Sequence, residues 1–383
     1  MKEGWDIKKL GEVCFITMGQ SPNSESYNKL GDGLPFFQGC SDFGAIHPLV
    51  TTWCNQPNKI ANPNDILMSV RAPIGTLNIA DSKCCIGRGL AAFTQKEGVT
   101  INKFLYYFLL SSKGDLQSKG TGATFKAIGK ELIKNYAIKL PSLTEQQHIV
   151  EELDLLSSII EKKKAQIKEL DNLAQSLFYE MFGDPITNDK GWEVIRLGDK
   201  CQVSSFKRVL IEDVVNKGIP FIRGTELMTL SNGDDVNFTL FITPEHYEVV
   251  KEISGVPIIG DLLIPSINAK GNIWIVNTEQ PRYYKDGRVL WVHVDSESYT
   301  SETLKFIMSL LIKKTYSVVA SGATFAELKL FVLRDLRTII PPISIQQRFS
   351  ESIKGIEHQK KLIKQSIKEV ETLFNSRMDY YFN

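Results

Sequence analysis

The sequence of 383 residues contains no apolar run long enough to cross a membrane, which takes about 18 residues or more. Its first residues also lack the basic and then apolar pattern of an export signal. From these two absences we expect a cytoplasmic protein that has no membrane partner.

The six cysteines provide no metal or disulfide framework. They form no Cys-x-x-Cys pair, and five of them fall within the first 85 residues. Cys40, His47 and Cys54 could be imagined as zinc ligands, but a fourth ligand is missing and the spacing fits no common zinc site. We therefore predict no metal site.

Sequence motifs of catalysis are also missing. No phosphate-binding G-x-x-x-x-G-K-[ST] loop occurs, because Gly129-Lys130 is followed by Glu131. The segment 184–187 (Asp-Pro-Ile-Thr) lacks the second proline and the aromatic residue of an adenine methyltransferase tetrapeptide. No acidic pair with a nearby lysine stands out as a nuclease core. We predict no catalytic residue and no cofactor in this chain, which would bind and position while other chains react.

The sequence also lacks a strong excess of positive charge. The chain has 45 basic and 44 acidic residues, whereas a protein that coats nucleic acid indiscriminately is usually far more basic. The first 143 residues are the most basic part, with 16 Lys and Arg against 11 Asp and Glu. If nucleic acid is the partner, we expect this chain to select the sequence and other subunits to supply part of the phosphate contacts.

The most informative feature that is present is a duplication. The stretch from Trp5 to Phe182 recurs from Trp192 to Phe382, and both copies contain a Gly-Ala-Thr-Phe loop and a Gln-Gln pair. The offset between the copies rises from 185 to a steady 200 by Arg88 and Arg288, so about 15 extra residues enter the middle of the second copy. A period of this length is too long for a solenoid. The sequence therefore predicts two similar but non-identical domains.

Each copy has short apolar runs separated by turn residues, and then helical patterns. The pattern predicts strands at 65–70, 75–80, 272–276 and 289–294, and helices at 101–112, 127–135, 301–313 and 326–333. Strands first and helices last indicate an α+β fold.

A long helix with heptad spacing closes each copy. The apolar seam positions predicted for the two helices are Ile149, Leu153, Leu156, Ile160, Ile167 and Leu170, and Phe349, Ile353, Ile356, Ile363, Ile367 and Val370. Thr144 with Gln147, and Ser344 with Gln347, have the spacing of capping boxes at the helix starts.

Two lysines interrupt the seam at places that do not match. Lys163 corresponds to Ile363, and Lys360 corresponds to Ile160. A helix that paired with its own copy in another molecule would bring lysines together near the seam, so we expect the two helices to pair within one chain as an antiparallel coiled coil. Two separate amphipathic helices, each lying on its own domain, are the alternative. About 35 helical residues span on the order of 50 Å, or roughly 15 base pairs of DNA.

These features together resemble a known family. The Trp-[Asp/Glu]-x-x-x-Leu-Gly opening, the Gly-Ala-Thr-Phe loop, the proline and Gln-Gln helix start, and the 177–185 segment (Leu-Phe-Tyr-Glu-Met-Phe-Gly-Asp-Pro) occur in the order seen in specificity subunits of type I restriction–modification systems. The resemblance covers the full length. It implies target-recognition domains at 1–143 and 184–343, in tandem pseudo-twofold repeat, and conserved helices at 144–183 and 344–383.

The resemblance also implies a function and partners. Each domain would read one half of a bipartite site in double-stranded DNA, and the helices would set the spacer and dock two methyltransferase subunits. Restriction (motor and nuclease) subunits would complete the complex, and the partner subunits would use S-adenosylmethionine, ATP and Mg²⁺. The alternatives are a protein-interaction scaffold and a self-contained restriction–modification enzyme.

Base reading needs side chains with paired donors and acceptors on exposed loops. The candidates are Gln20, Ser21, Gln38, Arg71, Arg88 and Lys126 in the first copy, and Arg223, Asn268, Lys270 and Arg288 in the second. Each has a plainer interpretation. Because Arg88 and Arg288 match across the repeat, they could belong to the frame or contact phosphates. Lys126 could contact a phosphate or belong to a solvated face.

Overall fold

The computed structural model describes residues 5–122, 126–268, 270–319 and 327–383. Thr124 and Thr324, with most of the two Gly-Ala-Thr-Phe loops, lie outside the described residues. The chain divides into two compact units. The first unit comprises 1–163 and 366–383, and the second comprises 164–365. Each unit therefore contains the start of one long helix and the end of the other. The α+β prediction is confirmed.

The first unit is built from three small sheets and short helices. A four-stranded sheet has the order Cys14–Met18, Leu90–Gln95, Ile66–Ser69, Leu77–Ile79. A five-stranded sheet has the order Tyr27–Asn28, Trp53–Cys54, Leu34–Phe37, Cys84–Ile86, Ile60–Ala61, and Asp6–Lys9 pairs with Ala137–Leu140. The α-helices are Leu10–Val13, Asn102–Ser111, Lys113–Ser118 and Lys130–Lys134, followed by the start of the long helix Leu143–Phe182.

The second unit repeats this frame. Its four-stranded sheet has the corresponding order Gln202–Ser205, Val289–His293, Leu262–Pro265, Trp274–Ile275, and Glu193–Arg196 pairs with Arg337–Ile340. A three-stranded sheet has the order Phe241–Ile242, Ile219–Ile222, Tyr283–Tyr284. The α-helices are Gly224–Ser231, Pro244–Ser254, Ser301–Val319 and Leu330–Arg334, followed by the start of the long helix Ile343–Phe382.

The middle of the two units differs as the change in offset predicts. Where the first unit has the 3₁₀ turn Cys40–Asp42, the second has the helix Gly224–Ser231. Where the first has the strand Ile60–Ala61, the second has the helix Pro244–Ser254. Thr243 caps the latter, since its hydroxyl accepts a hydrogen bond from the N–H of His246 at 3.2 Å. The extra residues therefore form helices inserted into a common frame.

In the first unit, the start of the first long helix packs antiparallel to the end of the second. Ile149 and Leu153 share a buried core with Met378 and Phe382. The start of the first helix thus lies beside the end of the second, where Glu152 accepts a hydrogen bond from Nη2 of Arg377 at 2.8 Å. Predicted seam residues that are buried in this unit are Ile149, Leu153, Leu156, Ile160 and Ile367, and Val370 is half-buried.

The second unit has the corresponding pairing. The ring of Phe349 lies 5.7 Å from that of Phe178 and 5.2 Å from that of Phe182. The ammonium of Lys360 lies 2.7 Å from a carboxylate oxygen of Asp171 on the other helix. A charged seam position is thus matched by a carboxylate rather than by an apolar partner. Predicted seam residues that are buried in this unit are Phe349, Ile353 and Ile356, and Ile167, Leu170 and Ile363 are half-buried.

The predicted capping boxes are wrong. The first long helix begins at Leu143, and Ser142 is its capping residue, with its hydroxyl accepting from the N–H of Glu145 at 3.3 Å. Thr144 therefore lies inside the first turn. The amide nitrogen of Gln147 instead donates a hydrogen bond to a carboxylate oxygen of Glu151 at 2.9 Å. The second long helix begins at Ile343, which places Ser344 inside its first turn as well.

Three shorter helices also differ from their predicted bounds. The helix predicted at 326–333 is Leu330–Arg334. The helix predicted at 127–135 covers only Lys130–Lys134, because Ala127 forms a β-bridge with Arg71 and the N–H of Ile128 donates to the carbonyl of Val70 at 3.0 Å. The helix predicted at 301–313 continues to Val319. A sheet-like pairing replaces the first helical turn in the second case, and continued apolar spacing extends the helix in the third.

Candidate nucleic-acid interface

In the first unit, chain segments that follow three strands come together at one edge. The N–H of Gly87 donates to the carbonyl of Phe37 at 2.8 Å, and the N–H of Val70 donates to the carbonyl of Gly89 at 2.9 Å. Gln38, Arg71 and Arg88 are neighbours of these residues in sequence, and all three are exposed. The backbone pairing therefore gathers three of the predicted base-reading residues on one surface.

Ser21 joins this group through its hydroxyl. Its Oγ lies 3.1 Å from Oε1 and 2.9 Å from Nε2 of Gln38, and it accepts a hydrogen bond from the N–H of Arg88 at 3.3 Å. The three residues line a cavity of about 670 Å³, together with Tyr27 and Phe36, whose rings are stacked at 4.6 Å. The hydroxyl of Ser21 thus holds the amide of Gln38 at the wall of a cavity that two aromatic rings also line.

Gln20 reaches the same edge through its backbone. The N–H of Gln20 donates to the carbonyl of Ile86 at 3.0 Å, and its side chain is exposed. The preceding Gly19 permits this approach, because a β-carbon at this position would lie 2.1 Å from the carbonyl oxygen of Gly87.

Arg71 and Lys126 flank the group on adjacent segments. The carbonyl of Lys126 accepts a hydrogen bond from the N–H of Ala72 at 3.1 Å. Both side chains are exposed. Among the residues that the structure describes, neither they nor Arg88 form an ion pair with a carboxylate. Their positive charge is therefore free to face an anion.

The second unit has the same edge with different side chains. Ile222 pairs with Tyr284 as Phe37 pairs with Ile86, so Arg223 occupies the position of Gln38. Val289 pairs with Pro265 as Leu90 pairs with Ser69. The structural equivalent of Leu90 is therefore Val289, and Arg288 occupies the position of Gly89.

This register corrects the sequence alignment. The predicted match of Arg88 with Arg288 is wrong by one residue, and the offset of 200 holds only further along the chain. The offset of 200 holds at Leu328. The N–H of Leu328 donates to the carbonyl of Ser266, just as the N–H of Ile128 donates to the carbonyl of Val70. The two arginines are therefore not a shared part of the frame.

Carboxylates hold the arginines of the second unit. Arg223 forms an ion pair with Glu226, and Nη1 of Arg288 lies 3.1 Å from a carboxylate oxygen of Glu327. Burial would raise the pKa of Glu226, but hydrogen bonds from Arg223, from its own N–H and from Thr225, together with the charge of Arg223, lower that pKa to about 2. These carboxylate partners are not apparent from the residue types alone. The three-residue spacing of Arg223 and Glu226 was the available signal.

Asn268 is a correction to the candidate residues. It is 1% exposed, its Nδ2 donates to the carbonyl of Asn272 at 2.7 Å, and its Oδ1 accepts from the N–H of Asn272 at 2.7 Å. Since both polar atoms of the amide close its own loop, the side chain is not available to a base. Lys270 lies in the same loop and is exposed.

No group of three or more potential metal ligands occurs in the described part of the chain. The imagined zinc ligands Cys40, His47 and Cys54 therefore form no such group. Cys54 is fully buried, and Nδ1 of His47 lies 2.8 Å from the carbonyl oxygen of Ile79. Burial raises the pKa of the Cys84 thiol to about 12.

Within the described ranges, every helix is too short or too polar to span a bilayer.

Part of the chain matches a known protein family. The family model described as "Type I restriction modification DNA specificity domain" matches residues 2–171. The chain is 41% identical over 46% of its length to the putative type I restriction enzyme MjaX specificity subunit of Methanocaldococcus jannaschii, of which the match covers 42%. The chain thus spans less than half the length of this relative. It is 26% identical to the MjaIX specificity subunit of the same organism over 94% of the chain and 89% of that protein.

The fold has a solved counterpart. The crystal structure of the type I restriction–modification system S subunit from M. genitalium superposes with a TM-score of 0.59 over 99% of this chain and 96% of that one, at 15% identity. This likeness concerns the fold alone. It covers both β-rich parts and both long helices.

Proposed function

Since the chain belongs to the family of type I restriction–modification DNA specificity subunits, we propose that it is the non-catalytic subunit that recognises the DNA target of such a complex. Each unit reads one half of a bipartite sequence. The observation that carries this proposal is the edge at which Gln38 and Arg223 occupy equivalent positions. One backbone frame there presents different side chains in the two units, which is what readers of different half-sites need.

The first unit presents groups suited to hydrogen-bonded reading of base edges. Gln38 can pair bidentately with adenine, and the guanidinium of Arg88 with guanine. Ser21 fixes the amide of Gln38, so that less side-chain freedom is lost on binding. Arg71 and Lys126 stand beside this pair with their charges unneutralised, as contacts to phosphates require.

The second unit reads the other half through the corresponding edge. Arg223 and Arg288 are held by carboxylates, which orient the guanidinium groups and leave part of their donors for DNA. Lys270 is an additional exposed cation on a neighbouring loop. The two units would therefore select different bases.

We also propose that the long helices set the distance between the half-sites. Each helix has 40 residues, which at about 1.5 Å per residue corresponds to about 60 Å. A rod of this kind changes length in steps when residues are added or removed, whereas the domains that read bases stay the same. Spacer length and base identity would then be independent properties of the chain.

The partners proposed are two methyltransferase subunits, one for each unit, and restriction subunits. Each unit has a concave surface beside the first turn of its long helix, of about 680 Å³ in the first and about 970 Å³ in the second. Leu143 and Gln147 line one, and Ile343 and Gln347 line the other at equivalent places. A surface that occurs twice suits two copies of one partner. S-adenosylmethionine, ATP and Mg²⁺ would be used by these partner subunits.

Methylation mapping tests the proposal. DNA from cells that make the chain with its methyltransferase is sequenced by long reads that detect methylated adenine, and cells with the methyltransferase alone are the control. We expect one bipartite sequence to be methylated only when the chain is present. Methylation that does not depend on the chain would contradict the proposed function.

A further inference from the structure

The second unit has an apolar cavity at the edge where the first unit is polar. The cavity has a volume of about 350 Å³, and Met228, Pro265 and Ile267 form part of its wall. Arg223, Lys285 and Arg288 also line it. Ile267 is 44% exposed, so its aliphatic side chain is accessible to a partner beside three cations.

The position of this cavity in the fold is the same as that of the polar group in the first unit. Arg223 stands in the place of Gln38, as the strand pairing shows. Because Ser266 corresponds to Val70, Ile267 stands in the place of Arg71. A charged side chain has thus been replaced by an aliphatic one at the surface proposed to face the bases.

The surroundings of the cavity are positively charged. Of the four cations Arg223, Lys285, Arg288 and Lys329, three pair with the carboxylates Glu226 and Glu327, and Asp286 adds one further negative charge in the same turn. In the described part of the chain, Lys285 has no carboxylate partner within ion-pair distance. The net positive charge favours an anionic partner, whereas the wall requires an apolar group on that partner.

We propose that this cavity receives the 5-methyl group of a thymine in the major groove of the second half-site. The proposal rests on the proposed function. The thymine methyl is the apolar group that base edges present in the major groove, and it lies between two phosphate backbones. Ile267 and Met228 contact the methyl, while Lys285 and the arginines contact phosphates or adjoining base edges. The second half-site is therefore read partly by shape and burial, and the first mainly by hydrogen bonds.

The test removes one methyl group at a time from the DNA. The complex of the chain with its methyltransferase is titrated with its target duplex, and each thymine of the second half-site is replaced singly by deoxyuridine. Burial of one methyl group corresponds to about a fourfold change in affinity. We expect about a three- to tenfold loss at one position and little change at the others.

Variants of the protein then assign the effect to the cavity. Ile267→Ser should abolish the difference between thymine and deoxyuridine at that position. Ile253→Ser is the matched control, because Ile253 is 60% exposed in the same unit and lines neither this cavity nor the concave surface beside the first turn of the long helix. It should leave the difference intact.

The result that would overturn the inference is specific binding to a second half-site in which no thymine is sensitive to loss of its methyl group. Equal sensitivity in the wild type and in Ile267→Ser would also overturn it, and would leave the methyl effect to another surface. The first outcome needs only the wild-type protein and does not depend on how a variant folds. Failure of the proposed function is distinguishable, because the complex would then bind no particular sequence.

Discussion

Oε1 of Gln146 accepts a hydrogen bond from the backbone N–H of Ile101 at 2.9 Å, and Gln346 makes the same bond with Thr300 at 3.0 Å. The amide nitrogen of Gln146 also donates to the carbonyl of Pro141 at 3.0 Å. Both glutamines are fully buried. In each unit, one amide therefore joins the start of the long helix to the start of an earlier helix, which is Asn102–Ser111 in the first unit and Ser301–Val319 in the second.

Replacement of this amide should destabilise the first unit. Gln146→Leu leaves buried backbone groups without partners, and each such group costs about 1–3 kcal/mol. We expect the free energy of unfolding to fall by about 3 kcal/mol in urea titrations. Gln147→Leu is the control, because Gln147 is exposed. A larger loss for Gln147→Leu would support the capping box predicted from the sequence and contradict the structure.

The sequence could predict the scaffold but not these contacts. Heptad spacing and the duplication depend on local order along the chain, so the long helices and the α+β repeat follow from them. The Gln-Gln pair shows that a glutamine matters at the helix start. Only the fold shows that Gln146 faces Val99 and Ile101 while Gln147 faces solvent, because those partners are more than 40 residues away in sequence.

Stability of the second unit should depend on pH through Glu226. Its pKa is lowered to about 2 in the folded protein, against about 4.3 in an unfolded chain. A lowered pKa means that its contribution is present above pH about 4.3 and is lost as the pH falls towards 2. The full shift corresponds to about 3 kcal/mol. Because solvent screens an ion pair whose arginine is 43% exposed, we expect Glu226→Gln to unfold more easily by a smaller amount, about 2 kcal/mol at pH 7.

The free energy of unfolding of wild type and of Glu226→Gln, measured over a range of pH, tests this prediction. The difference between wild type and Glu226→Gln should shrink as the pH falls from 4.5 to 2.5. Glu252→Gln, at an exposed position of the same unit, is the control and should change stability little at any pH. A difference between wild type and Glu226→Gln that stays constant over this range would contradict the ion pair with Arg223.

The candidate surface was harder to predict than the scaffold. Gln38 and Arg88 were identified from residue type and loop position, and the fold brings them together. Asn268 has the same residue chemistry, but its amide closes a loop through Asn272, and sequence cannot distinguish a loop-closing amide from a free one. The one-residue shift at Arg288 arises from strand register, which the pairing of Val289 with Pro265 fixes.

Two variants of the first unit should separate base reading from phosphate contact. Gln38→Ala should relax selection at one position of the first half-site, by about 1–3 kcal/mol between the right and wrong base. Lys126→Ala should weaken binding to all sequences alike. It should also reduce the slope of log affinity against log salt concentration by about one, the contribution of one phosphate contact. Binding of the complex to single-base variants of its target, at several salt concentrations, measures both. A uniform loss for Gln38→Ala would contradict its role as a reader.

A change in helix length should change the spacer. Removal of one heptad from both long helices shortens each by about 10 Å, or about three base pairs. We expect the same two half-sites with a shorter gap in methylation maps. Removal from one helix alone is the control, and should destabilise the protein because the apolar positions of the two helices no longer coincide. An unchanged gap after removal from both would contradict the ruler.

The central claim is that two units read two halves independently. The most direct measurement replaces residues 14–140 with the corresponding segment of another family member and maps methylation in cells that also make the methyltransferase. We predict that the first half of the methylated sequence changes and that the second half stays the same. Loss of both halves with the protein still folded, or an unchanged first half, would contradict the claim.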